Sequence, residues 1–364
     1  MRLDWLDVSG FRSYDALHLD LDPGNNIFVG DNGQGKTNII EAVAYLSRLK
    51  SFRGVPDSAL IRSGSDSAVV RGEFSAHAVS HLVEVEIPET GRRKVRWNGK
   101  QPKKFSDLAS EVPVITFLPD DVGLLKGGPG NRRGFLDDLA ATLSPVAAGA
   151  QVDLAKALKQ RNALLRDLGR QAPAEDLGVW EAQIAASGKA VLEARLHIAR
   201  DAQPVIAAFY GEIGGNDDIA WVYGAGRLGE VVDLEAPEDT EQRYRDLLEA
   251  ARRLDMDRKM TTIGPHRDDP GLTLSGLDAR THASQGEQRT LALAMRLASF
   301  DLVASRRPDP PLVLLDDVFS ELDPSRARSV VENLPNAQTM ITTARPQDLP
   351  VEGRTWTVAD GTAK

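Results

Sequence analysis

Eight consecutive residues, Gly30-Asp31-Asn32-Gly33-Gln34-Gly35-Lys36-Thr37, follow the spacing G-x-x-x-x-G-K-T, and their types suit the gripping of a polyphosphate. Glycine lets a backbone turn sharply and bring its N–H groups against phosphate oxygens, which a Cβ at Gly30, Gly33 or Gly35 would obstruct. Lys36 offers a point positive charge to the β and γ phosphates of ATP, and Thr37 a hydroxyl to Mg²⁺. The apolar run Ile27-Phe28-Val29 before the loop and Asn38-Ile39-Ile40-Glu41-Ala42-Val43 after it predict strand, loop and helix. That order presents a helix N-terminus, with its positive dipole end, to the phosphates.

Near the other end of the chain, Leu312-Val313-Leu314-Leu315 reads as a buried parallel strand, with Asp316-Asp317 at its C-terminal edge. Asp316 suits a water-mediated hold on Mg²⁺, and Asp317 the orientation or deprotonation of an attacking water. Ser284-Gln285-Gly286-Glu287 precedes Leu291, Met295, Ala298 and Leu302 on one helical face, the pattern of a capping box. A cap explains Ser284 and Glu287 but not Gly286. Glycine in a first helical turn costs about 1 kcal/mol against alanine, and it suits a helix end that another molecule's phosphate approaches. Ser320-Glu321-Leu322-Asp323-Pro324 marks a turn and the start of a further helix.

The chain has 364 residues, 41% of them hydrophobic, enough for one large core or two smaller ones. It has no cysteine, so disulfides and thiolate metal sites are excluded, oxygen ligands are expected for any metal, and a reducing cytoplasm is the expected setting. No signal peptide or spanning run is found, and a membrane role is not expected. The net charge of −9 is the wrong sign for coating nucleic acid. Locally, however, Arg92, Arg93, Lys94, Arg96, Lys100, Lys103 and Lys104 gather around Trp97 with no acid between them. Two readings stand: a DNA backbone contact with the indole stacking on a base, or a solvated hairpin turning at Asn98-Gly99.

The first 140 residues mix short extended runs with turns, among them Leu82 to Ile87 and Val112 to Phe117. Helical periodicity then takes over: Leu154, Leu158, Leu165 and Leu168 share one face, and Trp180, Ile184, Val191 and Ile198 another, with Pro173 and Pro204 as punctuation. A third amphipathic stretch carries Tyr244, Leu247, Leu248, Ala251 and Leu254. The expected fold is α/β, a mixed sheet with helices. Residues 1–140 and 260–364 form a discontinuous nucleotide-binding domain around a mainly helical insertion at 141–259. His266 is expected to make a structural hydrogen bond, and Arg132 and Arg133 suit either DNA or solvent.

Several blocks together resemble the RecF family of bacterial recombination mediators, relatives of the ABC-type ATPase heads of SMC and Rad50 proteins. They are Gly10-Phe11-Arg12-Ser13-Tyr14, Asn32 to Asn38, Lys50-Ser51-Phe52-Arg53, Leu118 to Asp121 with Gly134 to Asp137, Gly264 to Asp269, the Ser284 turn and Leu315 to Asp323. The resemblance implies a weak, DNA-stimulated ATPase that dimerises on ATP, binds single-stranded, gapped or junction DNA, and promotes RecA loading with RecO and RecR. The implied setting is gap repair, replication maintenance and the SOS response. It also implies that Gly30 to Thr37 and Arg12 bind ATP, Ser284 and Gly286 reach the partner's nucleotide, Asp316 is the Walker B acid and Asp323 belongs to the D-loop. Asp317 stands where the broader ABC pattern has glutamate, and no switch histidine is found near Ile341-Thr342-Thr343, so slow hydrolysis is expected. The alternative is a motor ATPase of SMC type or the ATPase subunit of a transporter.

Overall fold

The computed structural model describes residues 1–76, 79–231, 234–334 and 336–364. The chain divides into two compact units, Met1–Asp120 with Arg296–Lys364, and Asp121–Met295.

In the first unit, strand Asn25–Val29 feeds the glycine-rich loop and pairs in parallel with Thr339–Thr343 on one side and Arg354–Ala359 on the other. Thr339–Thr343 continues in parallel to Leu312–Asp316, and that strand to Val114–Phe117. Thr362–Ala363 returns antiparallel along Arg354–Ala359 and completes a six-stranded sheet. The strands Val114–Phe117, Leu312–Asp316 and Thr339–Thr343 are buried at every position. Burial on both faces explains why they carry apolar and β-branched residues without alternation.

A second sheet of the same unit is antiparallel, in the order Tyr14–Asp20, Arg2–Phe11, Ser67–Ala76, Val79–Pro88, Lys94–Trp97. Its last strand turns at Asn98-Gly99, whose φ angles are +49° and +74°, and the Trp97 and Lys100 amides each donate to the other's carbonyl, at 2.7 and 3.0 Å. This is the two-residue hairpin that an asparagine-glycine pair favours. Helix Lys36–Arg48 shares its core with both sheets: Ile39, Val43 and Leu46 cluster with Leu3, Leu6 and Val70, and with Phe28, Leu314 and Met340. Each such side chain contributes about 1.5–3 kcal/mol on burial, so the loop at the head of the helix is carried by a deep, apolar anchor.

The second unit is built on helices Pro145–Leu168 and Ala174–Glu212, which share a core of Leu154, Ala157, Ile184, Ala185 and Val191. Ser144 caps the first, its hydroxyl accepting from the Ala147 amide at 3.3 Å. Two sequence expectations are corrected here. Leu168 is 42% exposed at the helix end, outside the buried face. Pro204 does not end its helix, which runs on to Glu212. A proline inside a helix forfeits one backbone hydrogen bond, but Ala199, Ala202 and Ile206 around it are fully buried, and that packing holds both sides in helical register. The stretch around Tyr244 forms two helices, Thr240–Ala250 and Arg252–Arg258. An antiparallel sheet in the order Leu277–Asp278, Asp269–Leu274, Ile219–Gly224, Glu230–Val231 accompanies the helices.

Arg161 is wholly buried between the helices, donating to Asp255 Oδ2 at 2.7 Å and Glu181 Oε1 at 3.0 Å, while Arg252 closes on Glu181 from outside at 2.6 Å. Removing the shared cation leaves two buried carboxylates short of their partner. Arg161→Met is therefore expected to lower the unfolding free energy by about 3–5 kcal/mol in urea titrations, and a loss below about 1 kcal/mol would contradict this account of the core.

Candidate nucleotide-binding site

The loop from Gly30 to Thr37 leaves its strand at the C-terminal edge of the parallel sheet, the edge at which such sheets bind ligands. Its three glycines are required by the protein's own backbone and packing. A Cβ on Gly30 would stand 2.2 Å from the Val358 carbonyl oxygen. Gly35 has φ +105°, and a Cβ there would meet Ser13 Oγ at 2.7 Å. A Cβ on Gly33 would meet nothing within 4 Å, but its φ of +83° itself favours glycine, so the fold, with or without a phosphate, already accounts for all three. Asp31 and Asn32 are exposed, and the Gln34 side-chain oxygen accepts from the Asp360 amide at 3.0 Å, tying the loop to the C-terminal hairpin.

Helix Lys36–Arg48 begins at Gly35 with no side chain capping it, which leaves its first turn to an outside acceptor. Lys36 is buried, and its ammonium donates to the carbonyls of Gly30 at 2.6 Å and Asp31 at 2.8 Å. Burial pulls that ammonium below the usual lysine range, opposed by the charges of Asp317, Asp316 and Asp31. The Thr37 hydroxyl donates to Asp316 Oδ1 at 2.9 Å, so the loop and the Leu312–Asp316 strand meet at one carboxylate oxygen. The Thr342 hydroxyl reaches the same oxygen at 2.7 Å. Burial pushes the Asp316 carboxyl above the usual range, while the hydrogen bonds from Thr342 and Thr37 pull it back. Asp317 has φ +49°, uncommon for a residue with a side chain, and its Oδ1 is buried without a hydrogen-bond partner.

Beside the loop, the Arg12 guanidinium makes a bidentate pair with the fully buried Glu41, both contacts at 2.8 Å, and donates to the Ala59 carbonyl at 2.9 Å. Tyr14 donates to the Gly35 carbonyl at 3.1 Å, and Asn38 to Ser13 Oγ at 3.0 Å. Glu41, Ser51 and Arg53 extend this network, with the Ser51 hydroxyl donating to Glu41. Sequence spacing gives no sign of Glu41 as its hub, since a glutamate inside a helix ordinarily faces water.

Ser284, Gly286 and Glu287 lie in the second unit. The capping box is formed in both directions: the Ser284 amide donates to Glu287 Oε2 at 2.6 Å, and the Glu287 amide to Ser284 Oγ at 3.3 Å. Ser284 and Gly286 are exposed, and the nearest atom to a Cβ on Gly286 would be Ser284 Oγ at 4.0 Å, so packing within the chain does not demand glycine there. Asp323 caps helix Pro324–Glu332 through the amides of Ser325 and Arg326, both at 3.0 Å, and those bonds, led by Arg326, hold its carboxyl below the usual range.

The basic cluster separates into two kinds of residue. Arg93 is pinned inward on the Leu49 carbonyl, Tyr45 and Asp57, and Lys94 pairs with Glu86 at 2.9 Å. Arg92, Arg96, Lys100, Lys103 and Lys104 are exposed. Trp97 packs against the core and meets His81 edge-on, so its indole is committed to the fold. His266 is structural, as expected: Nε2 lies 3.1 Å from the Thr261 carbonyl, and burial pushes the ring down to about 4, so it is neutral at pH 7. Arg132 and Arg133 turn inward, to Asp269 and to the Asp268 carbonyl, each at 2.5 Å.

Comparison with known proteins agrees with this architecture. The family model of the RecF/RecN/SMC N-terminal domain matches residues 2–359. The DNA replication and repair protein RecF of Acidothermus cellulolyticus is 38% identical over 366 residues, 98% of each chain, and that of Streptomyces avermitilis is 37% identical over the whole of both. A solved structure of the recombination mediator RecF with ATP, from the RecFOR pathway, aligns with a TM-score of 0.89 at 28% identity, covering 100% of this chain and 96% of that one. An SMC head from Pyrococcus furiosus, at 16% identity and a TM-score of 0.54 over 100% of this chain and 95% of that one, shares the fold. A chain with this ATPase-head fold and full-length identity of this order belongs to the RecF family of DNA replication and repair proteins.

Proposed function

We propose that the protein is an ATP-dependent recombination mediator that closes as a homodimer on DNA, with ATP as the material between the two copies. Gly30 to Thr37 of one copy grip the triphosphate, with Arg12 beside them, and Ser284 and Gly286 of the other copy seal it, with Asp323 nearby. DNA favours the paired form, and slow hydrolysis releases it. The observation that carries this reading is the meeting of Thr37 with Asp316 at 2.9 Å beside an uncapped helix N-terminus. The ATP named with the RecF structure of the RecFOR pathway supports it.

The nucleotide domain is discontinuous, its halves at 1–140 and 260–364 around the insertion at 141–259. A compact unit that draws on both ends of the chain supports the discontinuity, although its own bounds are Met1–Asp120 and Arg296–Lys364, so that residues 121–140 and 260–295 fall in the other unit. The partners are RecR, RecO and RecA, and the place of work is gapped or junction DNA in the cytoplasm. Among the described residues no helix is long and apolar enough to cross a membrane.

Thr37 and Asp316 would hold Mg²⁺. Their oxygens suit an ion that takes its other ligands from phosphates and water. When bound, Mg²⁺ neutralises charge developing on the phosphates. Lys36 exchanges its two carbonyl partners for phosphate oxygens. Asp317, with an unpartnered oxygen, orients and deprotonates the attacking water. Its side chain is one methylene shorter than glutamate, and misplacement of a base costs orders of magnitude in rate.

Sedimentation with and without ATP tests the clamp directly, and a monomer under both conditions would exclude it. Lys36→Ala is expected to abolish ATP binding and pairing together. Asp317→Asn is expected to keep ATP binding and lengthen the life of the dimer, whereas loss of binding would show that its role is misassigned. Turnover without DNA is expected below about one per second, and a much faster rate would contradict a slow release step.

Of the six exposed cations of the basic cluster, Lys94 is paired with Glu86, and the other five supply the DNA contact. Changing Arg92, Arg96, Lys100, Lys103 and Lys104 together to alanine is expected to make the slope of log affinity against log salt shallower by about 3–5. An unchanged slope would remove the hairpin from the interface.

A further inference from the structure

Thr342 sits in the middle of the parallel sheet, paired with Asp316 on one side and Phe28 on the other, and only 1% of it is exposed. In a strand buried on both faces, valine would fill the same space without a hydroxyl, and burying a hydroxyl without partners is unfavourable. Both of its capacities are used. The Asp317 amide, which also donates to the Thr342 carbonyl at 3.2 Å, lies 2.9 Å from Thr342 Oγ1, and Asp316 Oδ1 lies 2.7 Å from Oγ1. An amide can only donate, so Oγ1 accepts there, and the hydroxyl proton must point at Asp316. The bond to the amide falls on the residue held at φ +49°, a conformation disfavoured for a residue with a side chain. Thr343, the next residue, serves a different end: its hydroxyl accepts from the Arg345 amide at 2.9 Å and shapes the following turn.

We infer that Thr342 is a positioning residue for hydrolysis, its one hydroxyl fixing the Asp316 carboxylate and the unusual backbone turn of Asp317 at the same time. The inference rests on the nucleotide-site reading above. With Thr37 and Thr342 both donating to Oδ1, Asp316 keeps its other oxygen for a water of the metal shell, and Asp317 is presented from a turn that its neighbour's side chain holds in place. When Thr37 leaves Asp316 for Mg²⁺, Thr342 is the hydroxyl that still orients it.

The test uses the full chain with Thr342→Val, which keeps shape and burial, and Thr342→Ser, which keeps the hydroxyl. In the nucleotide-free protein, amide exchange in a peptide spanning residues 315–319 is expected to quicken in Thr342→Val and return to the parent rate in Thr342→Ser. With Mg²⁺ and ATP, Thr342→Val is expected to lose about 10–100-fold in kcat, with KM for ATP within about threefold and the serine variant restoring most of the rate. Thr342→Val with parental exchange and turnover would overturn the inference, as would a serine variant as impaired as valine, since the methyl group would then be what matters. Failure of the parent chain to bind ATP would instead sink the nucleotide-site reading, and the exchange measurement would still decide whether Thr342 holds Asp317.

Discussion

One carboxylate oxygen joins the three central strands of the parallel sheet. Asp316 ends the first of them, Thr342 comes from the strand beside it, and Thr37 follows the loop that leaves the third. The two hydroxyls meet Asp316 Oδ1 at 2.7 and 2.9 Å. Each strand is held in register by its own ladder, which ends at the edge of the sheet in backbone bonds from the Asp317 amide to the Thr342 carbonyl at 3.2 Å and from the Gly30 amide to the Thr343 carbonyl at 3.4 Å, and side chains add to these in fixing one strand end against another. The shared oxygen does this where the glycine-rich loop begins its helix. Lys36, folded back on the carbonyls of Gly30 and Asp31, keeps the loop closed on itself with hydrogen bonds that a polyphosphate can replace.

The anchoring of this edge explains much of the surrounding sequence. Helix Lys36–Arg48 is apolar on the faces that meet both sheets, so the loop cannot shift without disturbing the first unit's core. Arg12 and Glu41 add a buried ion pair at the helix, and Gln34 ties the loop to Asp360 in the C-terminal hairpin. The proposed partner half of the site is built more simply, from a serine and glutamate that satisfy each other and a glycine that leaves the approach open. A rigid grip and an open cap suit a site assembled by the meeting of two molecules.

What could be read from the chain beforehand followed from local rules. The glycine-rich loop, the capping box at Ser284, the apolar strand before Asp316 and the Asn98-Gly99 hairpin each depend on residues a few positions apart, and all four formed as their spacing predicts. Features that depend on distant neighbours were not legible. Thr342 is an ordinary β-branched residue until Asp316 and Asp317 are placed beside it. Arg93 and Trp97 belonged to a basic cluster by composition, yet the sheet turns one onto Leu49 and Asp57 and packs the other on the core. Pro204 reads as a helix stop because its cost is local, whereas the packing that carries the helix past it is contributed from elsewhere. The family itself was legible because its blocks run nearly the length of the chain.

The central claim is that each nucleotide is shared between two copies, and mixing two defective chains tests it most directly. Lys36→Ala lacks the grip and Ser284→Arg blocks the cap, so neither is expected to pair with itself in ATP. Mixed together, they contain one intact composite site, the loop of the Ser284→Arg chain with the Ser284 of the Lys36→Ala chain. Analytical ultracentrifugation of the mixture with ATP is expected to recover a heterodimer. A mixture that stays monomeric, or a Ser284→Arg chain that pairs with itself as well as the parent does, would contradict the account.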